Sequence, residues 1–98
     1  MSYTHAEMTQ FERDAAASSD PPIIVFILPG IRSYCHKLGV TVHWEDFVKL
    51  VFVFKGIEFR AEQEMFERMV ENNQYESIYT YLKGIYTTLK NTYMRMDC

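Results

Sequence analysis

The chain has 98 residues, which is the size of one domain, and its formal net charge is −3. This acidic balance gives no basic patch for nucleic acid, so nucleic acid is not expected as a partner. The two cysteines, Cys35 and Cys98, form no disulfide framework, which fits a reducing compartment. The N-terminus is polar and acidic, and the longest apolar run, residues 23–28, is too short to span a bilayer. We therefore expect a soluble intracellular protein, cytoplasmic or nuclear, without membrane association.

The first predicted element is an N-terminal helix at residues 5–17. Residues 4–7 have the Thr-x-x-Glu pattern of a capping box. Three apolar residues then follow on one helical face: Met8, Phe11 and Ala15. Because this face is thin, residues 1–19 are interpreted as a helix or a mobile arm. A Ser- and Pro-rich break separates them from a single helical domain at residues 20–98.

Residues 23–28 are uniformly apolar, and this pattern alone does not decide between a helix and a strand. Their β-branched content favours a short strand. The following residues 30–38 have apolar side chains at helical spacing, and Gly39 suits the end of a helix. We prefer one helix interrupted by Pro29, because a lone strand would need a partner that the chain offers only weakly. A short strand at 23–28 stays the alternative.

Residues 41–54 predict a strongly apolar helix. Its main stripe consists of Trp44, Phe47, Val48, Val51 and Phe54. A helix with so little polar surface belongs at the centre of a bundle or in an interface. The competing interpretation is a strand at residues 49–54. Lys55-Gly56 ends this element, and a further helix with an acidic face is predicted at residues 58–72.

The clearest pattern lies in residues 75–96, where apolar residues recur at spacings of three and four. Part of this segment is a seven-residue repeat, LKGIYTT followed by LKNTYMR. The stripe predicts a helix whose apolar face meets another apolar surface. Three tyrosines widen the stripe: Tyr79, Tyr86 and Tyr93. A tyrosine hydroxyl needs a polar partner or water, so these residues suit the margin of a core or an interface.

The residue patterns of catalytic and metal sites are missing from the sequence. Cys35, His36 and His43 have none of the usual metal-ligand spacings, and no glycine-rich loop is present to build an oxyanion site. The glutamates within residues 58–71 are interpreted as a solvated helix face. We expect no catalytic residue, no metal and no cofactor, and we do not expect an enzyme.

Together these elements predict an all-α fold, a small bundle of four to five helices. The apolar faces look larger than one short chain can cover, and surplus apolar surface usually indicates a partner. The predicted function is therefore a small intracellular protein–protein interaction factor, such as an adaptor, a regulator or a viral-type accessory protein. It is expected to bind through helices and to form a homodimer. The predicted interface residues are Trp44, Phe47, Val51, Phe52, Phe54, Tyr79, Tyr86 and Tyr93.

Two alternatives belong to other functional classes. The first is a nucleic-acid-directed regulator or RNA-silencing suppressor, using a small basic edge of Lys83, Lys90 and Arg95 across a dimer. A steep salt dependence of nucleic-acid binding would identify it. The second is a small enzyme, which would need a deep pocket with perturbed titratable groups.

Overall fold

The computed structural model describes residues 10–20, 22–45 and 49–96. Within these ranges the chain forms four α-helices and one three-stranded antiparallel sheet of order β1-β2-β3. The elements are α1 (Gln10–Ala16), α2 (Ile24–Lys37), β1 (Thr41–Trp44), β2 (Lys49–Phe54), β3 (Ile57–Glu62), α3 (Gln63–Glu71) and α4 (Tyr75–Met96). The fold is therefore α+β, and the prediction of an all-α bundle is wrong.

The largest error concerns residues 41–54, which were predicted as one helix and form strands β1 and β2. Successive side chains of a strand point to opposite faces of its sheet. The central strand carries apolar residues on both faces, since Val51 and Val53 alternate with Leu50, Phe52 and Phe54. Because the run is apolar at every position, it lacks the alternation of apolar and polar residues by which a strand is usually predicted. The competing interpretation, a strand at residues 49–54, is the one that the structure shows.

A tight hairpin turn joins β2 to β3 at Lys55 and Gly56, where the sequence suggested the end of a helix. Both residues have positive φ, 49° and 82°. Positive φ at both central positions is typical of a type I′ turn, which matches the twist of the flanking strands. Phe54 and Ile57 face each other across this turn. The helix predicted at residues 58–72 is therefore wrong over its first part, which belongs to β3, and only Gln63–Glu71 is helical.

Two helix predictions are confirmed. The striped segment forms α4 over the predicted range, Tyr75–Met96. The preferred helix through Pro29 is also present, because α2 continues without interruption from Ile24 to Lys37, and the alternative strand at 23–28 is absent from this described segment. Gly39 ends α2 as expected, with a φ of 80° and a hydrogen bond of 2.9 Å from the Val40 N–H to the Cys35 carbonyl oxygen.

The core lies between the helices and one face of the sheet, which we call the inner face. By strand alternation the inner face consists of Val42, Trp44, Leu50, Phe52, Phe54, Ile57, Phe59 and Ala61. Helix α4 packs against β2 and β3, and α2 contacts both β1 and α4. The opposite, outer face carries charged side chains of β2 and β3, among them Lys49, Glu58 and Arg60.

The N-terminal helix or mobile arm was predicted at residues 1–19, and residues 1–9 lie outside the described residues. The described helix α1 places Glu12 and Ala15 in the interior. Glu12 is only 1% exposed, although it is charged, and it contacts residues of both α2 and β1. This contact fixes α1 against one edge of the sheet.

Candidate protein-interaction surfaces

Most of the predicted interface residues are buried within the single chain. Trp44, Val51, Phe52 and Phe54 are all buried, and Phe47 lies outside the described residues. Their apolar side chains are covered by other residues of the same chain. For these residues there is thus no surplus of exposed apolar surface of the kind that the helix prediction implied. The interface itself stays a prediction.

The tyrosines of α4 differ in their surroundings. Tyr86 and Tyr93 are half-buried, and both rings meet the ring of Phe54 edge-on, at centroid distances of 5.6 and 6.0 Å. They therefore lie at the margin of the core, as their hydroxyl groups require. Tyr79 is 44% exposed, and its ring packs edge-on against Tyr34 of α2 at 5.2 Å. Of the predicted residues that the structure describes, Tyr79 presents the most surface to a partner.

An exposed aromatic surface is formed by α2 and α4 around Tyr79. Phe26 of α2 is 70% exposed, and Gly30 lies one helical turn further along the same side of α2. The Tyr79 hydroxyl lies 3.7 Å from the position that a Cβ on Gly30 would occupy, so it covers the helix beside Phe26. Tyr75, one turn before Tyr79, is also about half exposed. We call Phe26, Tyr34, Tyr75 and Tyr79 the α2/α4 aromatic surface.

This surface lacks charge on the α2 side. Between Ile24 and Tyr34 the helix has one charged residue, Arg32, and its side chain is buried. The exposed residues in that stretch include Phe26 and Pro29. Sequence reasoning missed Phe26, although the signal was present. Once residues 24–37 are taken as a helix, Ile24, Leu28, Ile31 and Cys35 face inward, and Phe26 must then face outward.

The two edges of the sheet differ in their hydrogen bonding. At the β1 edge, side chains bond to the outward backbone. The Arg32 Nε donates a hydrogen bond to the Val42 carbonyl oxygen at 3.2 Å. The Trp44 backbone N–H donates to the Glu12 carboxylate at 3.3 Å, and Arg32 forms an ion pair with the same carboxylate. The outward carbonyl of Val42 and the outward N–H of Trp44 are thus used within the chain, which makes this edge less available to other strands.

The β3 edge is open. Val42 directs its backbone groups away from β2, so its partner Phe52 directs its own groups toward β3. Phe52 is paired with Phe59, whose backbone groups therefore point toward β2. The neighbours of Phe59 in the strand, Glu58 and Arg60, direct their backbone groups away from β2. No hydrogen bond among the described residues uses these outward backbone groups of Glu58 or Arg60. Their side chains are about half exposed. An unpaired edge of this kind is able to accept a further strand.

The outer face beside this edge carries a charge network. Arg60 donates hydrogen bonds to Glu45 at 3.4 Å and to Glu58 at 3.0 Å. These two carboxylates raise the pKa of the Arg60 guanidinium, Glu45 more than Glu58. Lys49 pairs with Glu62, directly across the β2–β3 register. Along β3 the outward charges therefore alternate in sign, Glu58, Arg60 and Glu62.

The described residues provide little for catalysis or metal binding. Burial raises the pKa of the Cys35 thiol to about 12, so this thiol is protonated at neutral pH and is a poor nucleophile. His36 and His43 are exposed on different elements. Within residues 10–20, 22–45 and 49–96 no group of three His, Cys, Asp or Glu side chains could hold a metal ion. A groove of about 400 Å³ beside Met65 and Met69 is wide open to solvent.

The proposed basic edge lies on exposed parts of α4. Lys83 and Lys90 are two helical turns apart, and Arg95 is exposed near the C-terminal end of the helix. The Lys90 ammonium lies 5.8 Å from the centre of the Tyr86 ring, a cation–π distance. Lys83 and Lys90 therefore lie on one side of α4, with Lys90 resting on an aromatic ring, whereas Arg95 lies more than a third of a turn from Lys90 around the helix.

In the part of the chain that the structure describes, no helix is long and apolar enough to cross a membrane. No protein-family model, no curated protein and no solved structure matches the chain. The surfaces described above are therefore the basis for a functional proposal.

Proposed function

We propose that this chain is a small protein-interaction factor that binds a protein partner through the α2/α4 aromatic surface and acts as a homodimer. The observation that supports this proposal best is the exposure of Phe26, which is 70% exposed on a helix whose other side is packed into the core. Full burial of a phenylalanine side chain stabilises a complex by about 1.5–3 kcal/mol.

The composition of the surface defines the chemistry of the partner. Aromatic residues are enriched at the centres of protein interfaces, since they bury a large area at a small entropic cost. The first turns of α2 expose no charge, so the partner is expected to present apolar side chains opposite Phe26 and Pro29. Tyr75 and Tyr79 are partly exposed, and their hydroxyl groups would supply hydrogen bonds at the rim.

A peptide-selection experiment tests this binding surface, with random-sequence peptides in place of the natural partner. The full chain is used to select binders from a phage library of such peptides, and affinities are measured for wild type, Phe26→Ser and Met96→Ser. Met96 is a matched control, because it is 71% exposed and apolar but lies at the far end of α4.

The proposal predicts that the selected peptides are rich in aromatic and aliphatic residues. Phe26→Ser is expected to weaken their binding about tenfold or more, which corresponds to about 1.4 kcal/mol, while Met96→Ser leaves it within about twofold. Peptides that bind all three proteins equally, or that are selected mainly for charge, would contradict the proposed surface.

The nucleic-acid alternative depends on Lys83, Lys90 and Arg95, and it is tested by salt dependence. A complex that neutralises three phosphates of duplex DNA would show a slope of roughly −2.7 in log affinity against log salt. An enzymatic role has less support, because the Cys35 thiol is buried and protonated and the groove beside Met65 is open.

A further inference from the structure

We propose that two copies of this chain join through their β3 edges, antiparallel about a two-fold axis at Phe59. The two three-stranded sheets would then form one continuous sheet. Glu58 of each copy would lie opposite Arg60 of the other copy. This inference rests on the homodimer in the proposed function and identifies its interface.

The first argument is the state of the backbone. The outward N–H and carbonyl groups of Glu58 and Arg60 have no partner among the described residues. On the opposite edge, the Val42 carbonyl oxygen is bonded to Arg32 and the Trp44 N–H to Glu12. A second β3 strand provides donors and acceptors at matching spacing. Only one edge of each sheet is available, so the association closes as a dimer.

The second argument is charge, which selects one register among those that the hydrogen bonds allow. With the axis at Phe59, Glu58 and Arg60 pair twice with opposite charges. With the axis at Arg60, two arginines face each other and Glu58 faces Glu62, and like charges directly opposite are destabilising. With the axis at Ala61, only residues 60–62 of each strand overlap, because α3 begins at Gln63.

The third argument comes from the inner face of the sheet. Phe59 and Ile57 are only half-buried in the single chain, although they point toward the helices. With the axis at Phe59, the two Phe59 residues form a non-hydrogen-bonded pair, in which side chains approach most closely. Such a cross-strand aromatic pair contributes favourably beside the backbone hydrogen bonds. The dimer would therefore cover the remaining apolar residues at this edge.

Charged residues usually protect an exposed edge strand from other chains. Here the alternation of Glu58, Arg60 and Glu62 does so selectively. It disfavours registers that bring like charges together and allows the one in which Glu58 meets Arg60.

Sedimentation equilibrium of the full chain, in the micromolar range, tests this interface with two charge reversals. Glu58→Arg alone and Arg60→Glu alone should each be monomeric, because every copy would then present two like charges to its twin. An equimolar mixture of the two variants should recover a heterodimer, since both cross-pairs again have opposite signs. Arg68→Glu is the matched control, because Arg68 is exposed and lies on α3, and it should remain a dimer.

Amide hydrogen exchange gives a second measurement. The Glu58 and Arg60 amides should exchange at least about tenfold more slowly in the dimer than in the Arg60→Glu monomer. Wild type that stays monomeric, or a dimer that survives both single reversals, would overturn the inference.

The two proposals fail in different ways. If wild type is monomeric but still binds the selected peptides through Phe26, the β3 interface is wrong and the α2/α4 aromatic surface stands. If Phe26→Ser loses the peptides and remains a dimer, both proposals are supported. If Phe26→Ser abolishes the dimer, the self-association belongs to the helices and the β3 inference is overturned.

Discussion

Glu12 and Arg32 form a buried ion pair that joins α1 to α2 and, through both partners, caps the edge of β1. Each charge also serves the backbone of the strand, since Arg32 donates to the Val42 carbonyl oxygen and Glu12 accepts from the Trp44 N–H. Two consecutive helices, α1 and α2, thus meet at one strand. The pair gives α1, a helix of only seven residues, a defined place in the fold.

The first prediction concerns this ion pair. Glu12→Ala leaves the buried Arg32 guanidinium without its carboxylate and removes the acceptor of the Trp44 N–H, so the free energy of unfolding should fall by ~3–5 kcal/mol. Urea denaturation followed by circular dichroism measures the change. Glu64→Ala, which breaks the exposed pair with Arg68, should change it by less than ~0.5 kcal/mol. Equal effects of the two substitutions would contradict the role of the buried pair.

The second prediction concerns Trp44, which is buried and lies on β1, not on the helix predicted from the sequence. Trp44→Ala should lower the free energy of unfolding by ~3–5 kcal/mol. Trp44→Phe keeps a ring but removes the indole N–H that donates to the Gln63 side-chain oxygen at 2.5 Å, so a loss of ~1–3 kcal/mol is expected. Thermal unfolding followed by circular dichroism distinguishes the two, and an unchanged melting temperature for Trp44→Ala would exclude the proposed role.

The third prediction compares two glycines. Gly56 has a φ of 82° in the hairpin turn, so Gly56→Ala should destabilise the fold by ~1–2 kcal/mol. Gly84 lies in α4, and a Cβ there would meet nothing within 4 Å, so Gly84→Ala should stabilise the fold by ~0.5–1 kcal/mol. Opposite shifts of the urea midpoint are the expected result. A shift in the same direction would show that one of the two backbone conformations is different.

The fourth prediction concerns pH. Burial raises the pKa of the Cys35 thiol from 9.0 to about 12. The unfolded chain therefore releases this proton at lower pH than the folded chain, and the free energy of unfolding contributed by Cys35 falls as pH rises from about 9 toward about 12. Below the lower value both states bind the proton and Cys35 causes no slope. Cys35→Ala should remove this alkaline loss, measured as the difference between urea unfolding of variant and wild type at each pH. Parallel curves for the two proteins would contradict the raised pKa.

The helices and the strands were not equally predictable from the sequence. Helix α4 was predictable because its apolar residues keep a spacing of three and four over six turns, which no strand reproduces. Strand β2 was not predictable in this way, because Val51 and Val53 make its outer face apolar and its inner face is apolar too. The sequence of the strand therefore does not alternate between apolar and polar residues. In β3 the charges at every second position are a strand pattern, but glutamate-rich segments also favour helices.

The candidate surfaces could be derived from the sequence only after the elements were assigned. The outward position of Phe26 follows from the inward positions of Ile24 and Leu28, once their segment is a helix. The open edge at Glu58 and Arg60 could not be inferred while these residues were placed on a helix. The cap formed by Glu12 and Arg32 joins residues 20 positions apart and depends on tertiary packing that no local pattern encodes.

The cap on β1 also limits the number of sheet edges to which another strand can bind. A sheet with two free edges can add copies at both ends and grows by polymerisation, which is the geometry of a fibre. Because Glu12 and Arg32 occupy one edge, strand addition at the proposed β3 interface would leave no second site on either copy, and growth would stop at two. A chain that lacks α1 and also carries Arg32→Ala would have both edges uncapped, and it would be expected to form filaments that bind thioflavin T.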